Sequence, residues 1–194
     1  MIKELKKFLN SHPTFTAAQA RKAGIHPSLI SYYIKLGVVE RISRGLYRNP
    51  TKESGVPAPW EDLVATVNSI SDGVVCLISA LNLYELTDEF ANEHWIAVPK
   101  DNWPKRRLHT KIVRLNNISL GKTRFILGTK KIWIFDRERT IIDSFRLLPL
   151  EVAIKALKLY LKPNNEQKPD FQKLNRYSKE LHFDISTYIQ ALTT

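Results

Sequence analysis

Ser28, Ser31, Tyr32 and Lys35, followed by Arg41, Arg44 and Arg48, place three hydroxyls and four cations within 21 residues. Hydroxyls at this spacing can exchange hydrogen bonds with base edges, and ammonium and guanidinium groups bind phosphate oxygens. The pattern therefore suits contact with duplex DNA. Ser and Tyr discriminate bases less well than a bidentate Arg–guanine or Asn–adenine pair, worth about 1–3 kcal/mol each. Phosphate contacts and the three arginines should then supply much of the affinity.

The elements that position these groups are readable from local signals. Thr16-Ala17-Ala18-Gln19 fits a capping box at a helix start. Gly24-Ile25-His26 breaks that helix, and Pro27 takes the first position of the next, where its missing N–H costs nothing. The second helix runs to about Leu36 and ends at Gly37. At 100° per residue Ile30, Tyr33, Ile34 and Gly37 fall on one side, flanked by Leu29 and Leu36, while Ser28, Ser31, Tyr32 and Lys35 face away. Val38 to Ile42, a Ser43-Arg44-Gly45 turn and Leu46-Tyr47-Arg48 then make a basic hairpin. Helix, turn, helix and hairpin compose a winged helix-turn-helix, whose second helix enters the major groove by its N-terminal half. Lys35 is better placed for phosphate, Arg44 for a minor groove or the backbone, and Arg41 and Arg48 for one face of the wing. Arg21 and Lys22 are candidates for flanking phosphates, although a solvated surface charge is the simpler reading of both.

Charge separates a DNA-facing surface from an ordinary solvated helix. Residues 1–50 hold nine Lys/Arg against two Asp/Glu, a net of +7 out of +11 for the 194-residue chain. A solvated face needs no such concentration, whereas a polyanion-binding one does. The 43% hydrophobic content supports real cores. One cysteine, Cys76 in an apolar run, excludes an intrachain disulfide, fits a cytoplasmic location and reads as a buried small hydrophobe. The amphipathic start is too short in apolar residues for a signal peptide, and no run approaches a membrane span. His12, His26, His94, His109 and His182 are scattered, so no metal and no cofactor are expected.

Residues 51–59, rich in Pro, Gly and Ser, read as a linker between a 1–50 winged helix-turn-helix and a 60–194 α+β domain with a small mixed sheet. Trp60 to Ile70 is helical with Leu63, Val64 and Val67 as its stripe. Val74 to Leu77 reads either as a buried strand or as the start of a helix over Ser79 to Tyr84. Strands follow at His94 to Val98, Lys111 to Leu115, Thr123 to Leu127 and Lys130 to Phe135. Helices close the chain at Asp136 to Leu148, Leu150 to Leu161 (Val152, Ile154, Ala156, Leu157 and Leu161 inward), Asp170 to His182 and Ile185 to Leu192, with a polar loop over Lys162 to Pro169.

Two features of this domain invite functional readings. Lys105, Arg106, Arg107 and Lys111 form a second basic stretch that would extend a nucleic-acid footprint or meet an acidic partner, with a solvated loop the simpler reading. Trp103 beside it reads as a packed loop anchor. Asp136 and Asp143, two helical turns apart, are the one gathering of carboxylates that a metal-dependent nuclease would require. Interleaved Arg137 and Arg139, and the lack of a phosphate loop or nucleophile motif, argue against an enzyme. Asp136 reads instead as a helix N-cap and Asp143 as the partner of an arginine.

Gly24-Ile25, Gly37, Glu40-Arg41-Ile42 and Arg44-Gly45-Leu46-Tyr47 resemble the winged helix of AbiEi-type antitoxins, the DNA-binding halves of type IV toxin–antitoxin systems. Val74 to Leu81, Trp95 to Pro99 and Asp136 to Asp143 resemble segments of the same family's second domain, so the likeness covers most of the chain. The resemblance implies a non-enzymatic transcriptional repressor, cytoplasmic, binding repeats upstream of its own operon. It also implies an antitoxin that counteracts a co-encoded nucleotidyltransferase-like toxin without a stable complex. That family's recognition helix often carries Arg or Lys near its middle; Tyr32 stands there here. Runner-up readings are a nuclease targeted by its winged helix and a regulator whose second domain binds protein.

Overall fold

The computed structural model describes residues 2–89, 91–162 and 168–193. Its contacts group into two compact units. The first holds the chain up to Ser71 together with Trp103–Thr110 and Ile126–Ile132; the second holds Asp72–Asn102, Lys111–Phe125 and the chain from Trp133 onward. The architecture is α+β, with an N-terminal winged helix and a small mixed sheet.

In the first unit α1 (Ile2–Ser11) leads into β1 (Thr14–Thr16), α2 (Ala17–Lys22), α3 (Pro27–Lys35), β2 (Glu40–Ser43) and β3 (Leu46–Arg48). The capping box at α2 is complete: the Gln19 amide donates to Thr16 Oγ1 and the Thr16 amide donates to Gln19 Oε1. Pro27 opens α3, and Gly37 (φ +69°) follows its C-cap, Leu36. The three strands order β1-β3-β2, antiparallel throughout. β1 was not expected; three residues are too few for a period-2 signal, and pairing with β3 defines it. Phe8, Phe15, Ala20, Ile25, Ile30 and Val39 share one buried cluster that seats α3 on the sheet.

A 3-10 turn at Ala58–Trp60 and α4 (Glu61–Asn68) complete this unit's helices, so residues 51–59 and the helix after them fall within the first unit. α4 buries Leu63, Val64 and Val67 as expected, and also Ala65 and Thr66. The Thr129 amide donates to the Gly55 carbonyl at 2.7 Å. Gly128 beside it lies so close to Gly55 that a Cβ would collide with the backbone.

The second sheet orders β6-β5-β4-β8-β7, with β4 (Val74–Val75), β5 (His94–Pro99), β6 (Thr110–Leu115), β7 (Lys122–Leu127) and β8 (Lys130–Phe135). β4 is antiparallel to β5 and parallel to β8, which makes the sheet mixed. The ambiguous segment after Gly73 resolves into both alternatives. Val74 and Val75 form a short strand, and α5 (Leu77–Leu83) begins after Cys76.

α6 (Arg137–Leu147), α7 (Leu150–Leu161), α8 (Phe171–Glu180) and α9 (Ser186–Thr193) follow. α7 buries Ala156 and Leu157 as expected, together with Ala153 and Tyr160, while Val152 and Leu161 pack half-buried against the same core and Ile154 is half-buried outside that cluster. The Tyr160 hydroxyl donates to Glu138 Oε1 at 2.8 Å inside the core. Residues 163–167 of the expected polar loop lie outside the described residues.

Candidate nucleic-acid interface

α3 presents the face its periodicity implies, except that Leu36, expected beside the packed side, is 55% exposed because it is the C-cap, past the last helical residue. Ile30 is buried and Leu29, Tyr33 and Ile34 are half-buried, while Ser28, Ser31, Tyr32 and Lys35 are exposed. Tyr32, 54% exposed, stands edge-on to Tyr33 at 5.4 Å between ring centroids, which braces an otherwise solvent-facing ring. The serines are locally engaged. Ser31 Oγ donates back to the Pro27 carbonyl at 3.3 Å, and Ser28 Oγ lies 2.7 Å from His26 Nδ1. His26 also caps the helix by accepting from the Ser28 amide. It joins the polar end of α3, a role its position before Pro27 hinted at only weakly, since His is not a favoured N-cap.

The wing turn places Arg44 in solvent next to Gly45, whose φ of +81° only glycine adopts readily. The Ala17 amide donates to the Gly45 carbonyl at 2.8 Å and ties the turn to the start of α2. Arg41 is exposed on β2, opposite Tyr47, and the register shifts between Arg41 and Ser43. Arg48 departs from the single face expected for it and Arg41: Arg41 pairs with Tyr47 and Arg48 with Glu40, successive register positions that face opposite sides of the hairpin. Arg48 Nε donates to Glu40 Oε2 at 2.7 Å, and its Nη1 lies 3.4 Å from Glu61 Oε2 and 4.0 Å from Asp62 Oδ1. The hydrogen bond to Glu40 raises its pKa against partial desolvation. A guanidinium ringed by three carboxylates has little charge left to offer a phosphate.

The second basic stretch divides. Lys105, Arg106 and Arg107 line a cleft of about 510 Å³ with Arg21 and Arg44, all within the first unit. Arg21, exposed on α2 as a solvated surface charge would be, shares this cleft. Lys111 belongs elsewhere: on β6 in the second unit its Nζ sits 3.9 Å from the centroid of Trp95. Trp103 is 75% exposed, so it is no packed anchor.

The two acidic residues of the second unit are bound into structure. Asp136 Oδ1 caps α6 by accepting from the Arg139 amide at 2.9 Å, and Oδ2 accepts from the Tyr177 hydroxyl at 2.9 Å and lies 3.0 Å from Lys173 Nζ. Burial opposes a charge on Lys173, yet Asp136 and Glu138 outweigh it and raise its pKa. Asp143, 1% exposed, accepts from Arg139 Nε at 2.7 Å and from Arg146 Nη1 at 2.6 Å. Arg139 Nη1 further donates to the carbonyls of Asn117 and Leu120. These contacts account for both carboxylates as a cap and a buried ion pair. Among the described residues no helix is long and apolar enough to cross a membrane.

No curated protein matches the chain. Residues 3–50, the segment folded as the winged helix, match the family of transcriptional regulators described as AbiEi antitoxin.

Proposed function

We propose that the protein is a non-enzymatic, cytoplasmic DNA-binding transcriptional regulator, in which α3 enters the major groove and the wing follows the backbone. One observation carries this reading. The winged helix that matches the AbiEi regulators sets Ser28, Ser31, Tyr32 and Lys35 on one exposed face, with an exposed arginine, Arg44, at the wing turn. In this reading Ser28, Ser31 and Tyr32 meet base edges, while Lys35, Arg41 and Arg44 hold phosphates. Arg48 buttresses the wing.

The finer reading is an autorepressor binding inverted repeats upstream of its own operon, and an antitoxin to a co-encoded nucleotidyltransferase-like toxin. Its support is the family match together with the segments Val74 to Leu81, Trp95 to Pro99 and Asp136 to Asp143. The test is fluorescence anisotropy on the duplex upstream of the gene, against a scrambled duplex, across a salt series. Tighter binding to the native duplex with a steep salt slope supports the regulator; equal, weak binding to both overturns it. Growth rescue on co-expression with the neighbouring reading frame tests the antitoxin half.

A further inference from the structure

Several cations among the described residues are paired with the chain's own carboxylates. Arg48 meets Glu40, Glu61 and Asp62; Lys173 meets Asp136 and Glu138; Arg139 and Arg146 share Asp143; Lys155 meets Glu151. The cleft between α2, the wing turn and the 103–110 loop is different. Arg21, Arg44, Lys105, Arg106 and Arg107 converge there, and no Asp or Glu lines it.

Among the described residues none of these five makes an ion pair. Five cations lining one cleft without a carboxylate set up a positive potential that favours an anion. The loop is also held in shape. Arg107 Nε donates to Ser69 Oγ at 3.3 Å and its Nη1 to the Lys105 carbonyl at 3.3 Å, while Lys105 and Arg106 remain exposed. Ammonium and guanidinium groups are donors without acceptors, so the matching ligand is rich in phosphate oxygens. A cleft of about 510 Å³ takes more than a lone phosphate ion. Arg44 belongs to both this cleft and the wing, which makes the two surfaces continuous.

We infer that this cleft grips a phosphodiester segment of the same duplex that α3 reads, so that the 103–110 loop, more than fifty residues from the wing in sequence, extends the DNA footprint. The inference rests on the DNA-binding reading above. A duplex backbone and a single-stranded RNA share the phosphate chemistry, and the continuity with the wing selects the duplex.

The test uses the full chain and a Lys105→Ala/Arg106→Ala double variant that keeps the Arg107 anchor. Binding is followed by anisotropy on upstream duplexes of about 15 and about 30 base pairs and on a single-stranded RNA of the longer length, across a salt series. The double variant should bind the long duplex on the order of tenfold more weakly at 0.15 M salt, with a salt slope lower by about two, and should bind the short duplex like the parent. Lys35→Ala should weaken both duplexes. Parent-like binding of the double variant to the long duplex, with Lys35→Ala still impaired, overturns the cleft and leaves the DNA reading standing. Loss confined to RNA overturns it in favour of an RNA site. Failure of the parent to bind either duplex overturns both.

Discussion

Arg48 and Glu40 are direct cross-strand partners in the wing, with Nε and Oε2 2.7 Å apart. Arg44, four residues before Arg48, has no such carboxylate partner among the described residues. Two arginines of one hairpin therefore carry different duties. Arg44→Ala should weaken binding to every duplex and lower the salt slope by about one. Arg48→Ala should leave the slope unchanged and cost at most about 1 kcal/mol of stability, because the pair is partly exposed. Equal slopes for the two variants would refute this division.

On α3 the prediction separates reading from holding. Tyr32→Ala should narrow the gap between native and scrambled duplexes. Lys35→Ala should weaken both by the same factor, since a phosphate contact carries no sequence information. Competition titrations with the two duplexes measure both ratios.

Asp143 is expected to be a stability residue. Removing its carboxylate leaves Arg139 buried with its charge uncompensated, so Asp143→Ala should destabilise the chain by about 3–5 kcal/mol in urea denaturation. A metal-dependent nuclease would instead lose cleavage and keep its stability. A variant as stable as the parent would refute the structural role.

Cys76 should be inert in the folded state. Burial, reinforced by the Asp143 charge, pushes its thiol well above the usual range. The folded state then holds the thiol proton more tightly than the unfolded one. Its contribution to stability is full below the unfolded value of about 8.5 and falls as pH rises past it. At pH 8 a disulfide reagent should label the native protein slowly and the urea-unfolded protein at once; fast native labelling would contradict the burial.

The parts of this protein legible in its sequence are those set by neighbours along the chain. Thr16 and Gln19 cap α2, Pro27 and Gly37 bound α3, Gly45 turns the wing, and a 3.6-residue period assigns Ser28, Ser31, Tyr32 and Lys35 to the outer face. Asp136 as an N-cap and Asp143 as an arginine partner were legible for the same reason, since both contacts span three or four residues. Tertiary structure alone decided the rest. β1 exists because β3 offers it hydrogen bonds, and Arg48 is neutralised because Glu61 and Asp62 arrive beside it. Lys111 lies on β6 with its ammonium over Trp95, and Arg21 lines the same cleft as Arg106, 85 positions later in sequence. Hydrogen bonds and charges act over a few ångströms of space, and where segments distant in sequence come within that range is set by the packing of the whole chain.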